Sequence, residues 1–373
     1  MKKYLKRVFA VILIIVSVMI PVVYAQDNLF ILNSHNTWRV RNYYQEHSNT
    51  LDTVIMGSSE VFTDYSAGLA YEKYGITSYP YAIDASTVAV WKSQLVEIKR
   101  TQNPKLIIIE INGVLYQEDE RICNEPAFRR YVDNIPFSMN KVATIIDKPF
   151  EDDTLSYFFP FIKYHGNIDS IPEVLKEKTY FAKSGFAKLK GMFTYTVVDK
   201  STKIPFLRNK KEELNANAEI MLIDFLNYCK ESQFDNLLFV RFPHKHSSEK
   251  SVRTYYRKNY AKEIIQSFGY DFWDLDDSVD LIGIDERTDY YNEDHLNVWG
   301  MEKFTSYLGE LILLESGNKQ IDLDKSQIQK WKETVKYTHL FIDYAKELTN
   351  KNKNEWLSET DELIGRFSEN ETQ

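Results

Sequence analysis

The sequence has little of what several classes of protein need. Its 373 residues include only two cysteines, Cys123 and Cys229, which stand far apart and in no CxxC spacing. They indicate neither a zinc site nor a disulfide framework, and whether they pair with each other stays open. The chain also lacks a basic excess, since its formal net charge is −8. Because a nucleic-acid partner requires a basic surface that displaces phosphate counterions, we expect no nucleic acid.

The first 26 residues carry the pattern of an export signal. Four basic residues precede an uncharged apolar run from Phe9 to Ala25. Val23-Tyr24-Ala25 fits a cleavage site, whereas the run nearly reaches the roughly 20 residues that a membrane-spanning helix needs. We expect a single-pass N-terminal anchor in the cell membrane with the body outside the cytoplasm, and secretion after cleavage behind Ala25 is the alternative. ATP and NAD are not readily available outside the cytoplasm, so we expect no cofactor.

The rest of the chain alternates strand patterns with helix patterns. The runs "TVIMG", "SYPYAIDA" and "KLIIIEI" are typical of buried strands, and helical patterns separate them. Further along the chain the alternation resumes with the strand patterns "NLLFVRF" and "DFWDL". Strands joined by helices predict an α/β fold with a doubly wound, mainly parallel sheet, of the kind found in flavodoxin-like three-layer sandwiches.

Two segments interrupt this alternation. From about residue 123 to 207 the sequence has scattered prolines and many aromatics, and we interpret it as an insertion that forms a lid or a binding wall. Beyond Gly317 a charged, intermittently amphipathic stretch predicts a helix packed on the body, with the last dozen residues frayed. We therefore expect an α/β domain over residues 27–316 and a helical, partly frayed tail over 317–373.

The turn "GSSE" behind the first strand pattern is the first candidate site. It places two serines at the carboxyl edge of the sheet, which is where open α/β sheets bind ligands. The amides of the following helical turn point toward this edge and would stabilise an oxyanion, so Ser59 is the candidate nucleophile. The competing interpretation is that Ser58 and Ser59 only form the turn and cap the helix.

A nucleophilic serine needs a base, and the sequence places His295 best for that role. It lies in a polar loop between the last strand and the last helix, again at the carboxyl edge of the sheet. A loop in which Asp294 and Asn297 cap the last helix is the competing interpretation. His244 and His246 could bind a metal or line the crevice, but an HxH in a loop rich in Lys and Ser is more typical of solvated surface. We expect no metal site.

The turn "GSSE" and the stretch "DYYNEDHLNVWGMEKFT" together resemble the SGNH/GDSL hydrolase superfamily. The resemblance is to its extracytoplasmic, membrane-anchored branch, which includes the teichoic-acid D-alanylation protein and acetyltransferases of cell-envelope polysaccharides. It covers roughly Asp52 to Ser316, interrupted by the insertion. Carried over residue by residue, it implies Ser59 as the nucleophile and His295 as the histidine of the last block.

The last block departs from that family at one position. The residue three places before the histidine is usually Asp and is Asn292 here. An amide can orient an imidazole ring but cannot neutralise the imidazolium. Asp294, Glu293 or Asp289 could substitute, or a Ser–His dyad could work with a carbonyl or Asn292 holding the ring. We expect the dyad, with Asp294 as a less favoured helper because adjacent side chains in an extended loop diverge.

The blocks that would supply the oxyanion hole are also altered. The family's oxyanion glycine falls near "AIDAST", which contains no glycine, and its Gly-x-Asn-Asp block is represented only by "INGV". The candidate oxyanion donors are therefore Ser59, Ser86 and Asn112. Asn112 could equally be a turn residue of the Asn-Gly type.

These features predict extracytoplasmic acyl transfer. Ser59 attacks an ester, His295 acts as base and then as acid, and the acyl group passes to water or to a sugar or polyol hydroxyl. The resemblance and the aromatic insertion favour a cell-envelope glycopolymer such as teichoic acid or polysaccharide, with a membrane-bound O-acyltransferase as partner. The alternative is a catalytically silent binding or assembly partner of such an acyltransferase. A secreted small-molecule esterase is a third hypothesis.

Overall fold

The structure is a computed structural model that describes residues 2–25, 35–176, 185–317, 319–353 and 361–371. Within these ranges five strands form one sheet in the order β2-β1-β3-β4-β5. The strands are β1 Thr53–Gly57, β2 Ser78–Ala82, β3 Leu106–Glu110, β4 Leu237–Arg241 and β5 Asp271–Asp274.

The described helices flank this sheet and follow its strands along the chain. They are α1 Lys2–Ala25, α2 His35–Tyr43, α3 Ser59–Thr63, α4 Ala67–Tyr74, α5 Trp91–Thr101, α6 Asp119–Ile122, α7 Glu125–Val132, α8 Met139–Ile146, α9 Leu155–Phe158, α10 Pro160–Tyr164, α11 Ala216–Glu231, α12 Glu249–Ser267, α13 Val279–Ile282, α14 Val298–Glu315, α15 Lys325–Asn350 and α16 Asp361–Glu371. Short 3-10 turns cover Val88–Val90, Ile111–Val114, His165–Ser170, Phe186–Leu189 and Leu275–Ser278.

The predicted doubly wound, parallel sheet is confirmed. Every pairing between neighbouring strands is parallel, and helices separate consecutive strands. All residues of β1 to β4 are buried, which explains the apolar composition of β1, β3 and β4. In a parallel sheet all carboxyl ends lie on one edge, so the turns after β1, β2, β3 and β4 meet there.

Two helices differ from their predicted starting points, and each difference has a capping residue as its cause. The pattern of "KEELNANAEIMLIDFLNYCKES" predicts a helix from Lys211, but α11 begins at Ala216 because the Asn215 side chain caps it, accepting from two amides of the first turn. The pattern of "MEKFTSYLGELILLES" predicts a last helix from Met301, but α14 begins three residues earlier, at Val298. Asn297 caps it in the same way, as one interpretation of this loop had expected.

The segment between β3 and β4 contains the predicted insertion. Helices α7 to α10 form the first half of the insertion, and Phe128 of α7 packs edge to face against Phe150 and Tyr157. Its second half returns to the body, where the Phe193 N–H donates to the Phe62 carbonyl at 2.8 Å. This return places residues 193–199 beside the loop that carries the candidate histidine.

The two cysteines are both free thiols. Cys123 follows α6 and is half-buried, whereas Cys229 lies in α11 and is fully buried. The question that the sequence left open is therefore answered, because no bridge joins them.

Helix α1 covers most of the predicted signal segment. Exposed apolar side chains along it include Phe9, Ile14 and Ile20. Counted over the residues that the structure describes, no helix is long and apolar enough to cross a membrane. The membrane anchor stays a prediction.

The C-terminal helices pack on the body. Trp331 of α15 stacks on Tyr71 of α4 with 4.8 Å between ring centroids. The sequence analysis expected fraying over the last dozen residues, yet the structure places α16 there. Its Leu363 and Phe367 are buried, and Phe367 packs against Tyr337 of α15.

Candidate active site

The turn after β1 brings Ser59 to the carboxyl edge of the sheet as the first residue of α3. Gly57 has φ +152°, and a Cβ at this position would lie 2.8 Å from the side chains of both Glu110 and Val61. Only glycine allows so close an approach. Ser58 holds the N-cap position of α3, but its hydroxyl makes no capping bond. Helix capping therefore does not account for the Ser58 side chain.

The structure brings Ser59 and His295 together from positions far apart in the chain. Ser59 Oγ lies 2.7 Å from His295 Nε2, and His295 Nδ1 lies 3.0 Å from Asn292 Oδ1. Asn292 Oδ1 also accepts the backbone N–H groups of Asp294 at 2.8 Å and of His295 at 2.9 Å.

These backbone bonds decide which tautomer His295 adopts. The backbone N–H groups of Asp294 and His295 need an acceptor, and the oxygen is the only acceptor in the Asn292 side chain. The amide oxygen of Asn292 is therefore the atom that faces the ring. Nδ1 must then carry the proton and donate to that oxygen. The lone pair of Nε2 is consequently directed at the Ser59 hydroxyl, as a general base requires. Asn292 thus gives the ring its orientation without supplying a charge.

The surroundings of His295 keep its imidazole neutral. Burial lowers the pKa of His295, while the negative charges of Glu60 and Asp294 oppose that shift without cancelling it. Aromatic rings supply part of this burial. Tyr195 contacts the imidazole edge to face at 5.3 Å and stacks on Tyr291 at 3.8 Å. At neutral pH the ring is therefore an acceptor for the serine proton.

A buried carboxyl connects the nucleophile helix to the histidine loop. Asp64 caps the carboxyl end of α3, and its Oδ1 accepts the N–H of Leu296 at 3.1 Å. Burial raises the pKa of Asp64 well above its usual value. The bond joins the residue next to His295 to the helix that begins with Ser59, so it fixes the distance between the two reactive side chains.

None of the three carboxylates considered as substitutes contacts the imidazole within the described residues. Asp294 is exposed and diverges from the ring, as expected for neighbouring side chains. Glu293 accepts hydroxyl hydrogen bonds from two serines in front of α12. Asp289 is buried and bonds to Lys303 at 2.6 Å. The site is therefore a Ser–His pair that Asn292 orients.

The candidate oxyanion donors lie in different surroundings. Ser86 is buried away from the reactive pair, and its N–H donates to the Ile83 carbonyl. The Asn112 side-chain NH₂ is bonded to the buried carboxylate of Glu60. Ala85 instead lines the same cleft as Ser59 and His295, with φ +52°, and its N–H has no acceptor among the described residues. Ala85 lies inside the "AIDAST" stretch but was not among the candidate donors predicted from the sequence.

A buried polar network lies directly beneath Ser59. Asn112 N–H lies 3.0 Å from both carboxylate oxygens of Glu110, and Arg241 Nη1 lies 3.1 Å from Glu110 Oε1. Arg241 Nη1 also donates to Asn112 Oδ1 at 3.0 Å. On the other side, Glu60 accepts from Ser58 and Asn112. The network therefore connects the turn after β1 to β4 through the turn after β3.

The two carboxyls of this network titrate very differently. Burial and the neighbouring charge of Glu60 raise the pKa of Glu110 to about 8, although Arg241 opposes the shift. Burial acts on Glu60 in the same direction, but it is outweighed by the contact with His244, by the charges that His295 and His244 carry when protonated, and by Arg241, and the pKa of Glu60 falls to about 2. At neutral pH the pair therefore holds one proton and one negative charge, which balances Arg241.

Glu110 gives the protein a pH dependence of stability that can be tested. The native state keeps a proton on Glu110 up to about pH 8, whereas an unfolded carboxyl loses it near pH 4.5. Stability contributed by this group is thus present below pH 4.5 and lost as the pH rises toward 8. Glu110→Gln should flatten this decline, measured as urea midpoints across the window. Equal slopes in wild type and variant would contradict the assignment.

The "HKH" stretch is buried rather than solvated. His244 N–H and His246 Nε2 both bond to the Asp276 carboxylate, at 3.0 and 3.1 Å. His244 Nε2 lies 3.5 Å from Glu60 Oε1. The expectation of a solvated surface loop is wrong, because β4 leads this segment under the site. Among the described residues, no group of three or more His, Cys, Asp or Glu side chains is placed to hold a metal ion.

An open cleft of about 500 Å³ gives access to Ser59 and His295. One side is formed by the turn after β3 and by α6, where the Arg121 guanidinium lies over the Tyr116 ring at 4.2 Å. The opposite side is formed by the first turns of α12. Its charged lining residues carry both signs: Glu60, Glu118, Arg121, Glu249, Lys250, Arg253, Arg257 and Asp294. The cleft is therefore lined largely by charged and polar groups.

Comparison of the chain with protein-family models, with curated proteins and with solved structures gave no match in any of the three.

Proposed function

We propose that the protein is a serine-dependent acyl-transfer enzyme of the SGNH/GDSL type, which acts as an O-acyltransferase or acylesterase on a cell-envelope glycopolymer. The observation that carries the proposal is the 2.7 Å contact between Ser59 Oγ and His295 Nε2, with Asn292 Oδ1 behind the ring. A hydroxyl, a neutral imidazole and an acceptor that fixes its tautomer are the parts of an activated nucleophile.

The reaction would proceed in two steps. His295 Nε2 takes the Ser59 proton while Ser59 Oγ attacks the ester carbonyl, and the imidazolium then returns the proton to the departing alkoxide. The tetrahedral oxyanion would be stabilised by the backbone N–H groups of Ser59 and Ala85, which both line the cleft. In the second step water or a sugar hydroxyl gives its proton to His295 and attacks the acyl carbonyl. The acyl–Oγ bond then breaks, and the imidazolium returns the proton to Ser59 Oγ.

The polymer substrate is supported by the shape and lining of the cleft. It is open, it carries charged and polar groups of both signs, and Tyr116 supplies an aromatic ring beside them. A membrane-anchored location outside the cytoplasm and a membrane-bound O-acyltransferase that supplies the acyl group complete the proposal. They rest on the N-terminal sequence pattern and on the resemblance to the superfamily.

A second candidate function is a catalytically silent binding or assembly partner of such an acyltransferase. Two observations favour it. Asn292 leaves the imidazolium without a carboxylate, and the Asn112 amide is bonded to Glu60 instead of being available to an oxyanion. A protein of this kind would use the cleft to bind the polymer without forming an acyl-enzyme.

A genetic experiment separates the two functions. The gene would be deleted in the source organism and restored as wild type or as Ser59→Ala, and base-labile acyl groups on the purified envelope polymer would be measured. The enzyme predicts altered acyl content in the deletion and no restoration by Ser59→Ala at equal protein level. Full restoration by Ser59→Ala would favour the silent partner.

A further inference from the structure

The peptide unit between Asp84 and Ala85 is held from outside the sheet. Arg130 of α7 donates from Nη1 to the Asp84 carbonyl oxygen at 3.2 Å. Asn36 of α2 makes a reciprocal pair with Asp84: its Nδ2 donates to Asp84 Oδ2 at 2.7 Å, and its Oδ1 accepts the Asp84 N–H at 2.9 Å. Two helices distant in sequence thus converge on one residue of the turn after β2.

The orientation of Asn36 is itself fixed. Its Oδ1 also accepts from Arg39 Nη1 at 3.3 Å, so the oxygen faces two donors and the NH₂ group faces a carboxylate. Arg39 is buried, and its Nε donates to the Gly191 carbonyl at 2.8 Å. A side chain constrained in this way restricts the residue that it holds.

Planarity of the peptide unit transmits this restraint to the Ala85 N–H. The Asp84 carbonyl and the Ala85 N–H belong to the same trans peptide unit, so the two bonds point in nearly opposite directions. Because Arg130 binds the oxygen, the N–H is directed away from α7. Ala85 lines the same cleft as Ser59 and His295, and its N–H donates to no acceptor among the described residues. Its φ of +52° is unfavourable for a residue with a Cβ, so the surroundings must hold it there.

We propose that Asn36 and Arg130 form a clamp on Asp84 that positions the Ala85 amide as an oxyanion donor, and that the Arg130 charge also strengthens this donor. A cation bonded to the carbonyl oxygen polarises the amide and makes its N–H a better donor. Arg130 and Asn36 do not touch the substrate, so both are positioning residues. The inference rests on the proposed acyl transfer at Ser59.

The clamp is tested by the kinetics of 4-nitrophenyl acetate hydrolysis on the full chain. Arg130→Met keeps the aliphatic stem and removes donor and charge, and Arg130→Lys restores a charged donor. We expect Arg130→Met to lower kcat by about tenfold to a hundredfold with KM little changed, since an oxyanion donor acts mainly in the transition state. Arg130→Lys should recover much of this loss. Asn36→Ala should lower kcat in the same way, and a cooperative thermal transition in each variant shows that it is folded.

The outcomes separate the clamp from the reaction that it serves. Turnover by the wild type that Ser59→Ala abolishes, together with an Arg130→Met variant of unchanged kcat, would overturn the clamp and leave the acyl-transfer proposal intact. A KM effect without a kcat effect would also overturn it, because substrate binding would then be the role of Arg130. If wild type and Ser59→Ala hydrolyse the ester equally, the acyl-transfer proposal fails and the clamp fails with it.

Discussion

Replacing Ser59 by alanine is expected to lower ester turnover by on the order of 10⁴-fold, to the residual rate that an intact site gives without its nucleophile. The physical reason is the position of the hydroxyl. Ser59 Oγ is the group at hydrogen-bond distance from His295 Nε2, and it faces the cleft. Removing one half-buried hydroxyl leaves the fold intact, so the melting temperature should stay close to that of the wild type.

Ser86→Ala is the matched control for this experiment. Ser86 was a candidate oxyanion donor in the sequence, but its hydroxyl is buried with no hydrogen-bond partner among the described residues. The variant should retain wild-type turnover and wild-type stability. If Ser59→Ala were to turn over esters as the wild type does, or if Ser86→Ala were to abolish turnover, the assignment of the nucleophile would be wrong.

Asn292→Ala is expected to reduce kcat by on the order of 10²- to 10³-fold, because the ring loses the acceptor that fixes its tautomer and orientation. The loss should be smaller than for Ser59→Ala, since the nucleophile and the backbone donors remain. Two backbone amides also lose their acceptor, those of Asp294 and His295. The measurement is kcat over a range of pH together with the melting temperature of the variant.

Asn292→Asp provides the opposite change at the same position. A carboxylate would accept the same three hydrogen bonds and add a negative charge beside His295, which raises the pKa of the imidazole. The acid limb of the pH–rate profile should therefore move to higher pH, and kcat on the plateau should rise by no more than about tenfold. The gain is limited because the wild-type amide already sets the correct tautomer.

Asp294→Asn is the control for the effect of charge alone. Asp294 raises the pKa of His295 without touching the ring, so its loss should move the acid limb slightly to lower pH and leave kcat on the plateau unchanged. If Asn292→Ala retained wild-type kcat while Asp294→Asn lost it, Asp294 would be the residue that supports the histidine, contrary to the structure.

Much of the fold could be predicted from local sequence. The apolar runs of β1, β3 and β4 are buried on both faces of a parallel sheet, and burial of that kind leaves a direct signature in composition. The strand patterns also predicted that Ser59 and His295 would lie close together, because each residue follows a strand and parallel strands share one carboxyl edge. Neither prediction required knowledge of side-chain contacts.

The remaining parts of the site depend on contacts between distant segments. Ala85 was missed because its role comes from a backbone conformation, and alanine carries no signal for φ +52°. The burial of "HKH" was missed because Glu60 and Asp276, the carboxyls that lie against its two histidines, come from other turns. The role of Asn292 was left open because the two amides that orient its oxygen are visible only in the folded loop.

The most direct test of the central claim is to treat the purified protein with a fluorophosphonate probe and to map the modified residue by mass spectrometry. Such a probe phosphonylates a serine only when a base activates it. We expect a single phosphonylated residue, Ser59, and loss of labelling in His295→Ala at an unchanged melting temperature. A folded wild-type protein that takes up no probe at Ser59, or labelling of Ser59 that persists in His295→Ala, would contradict it.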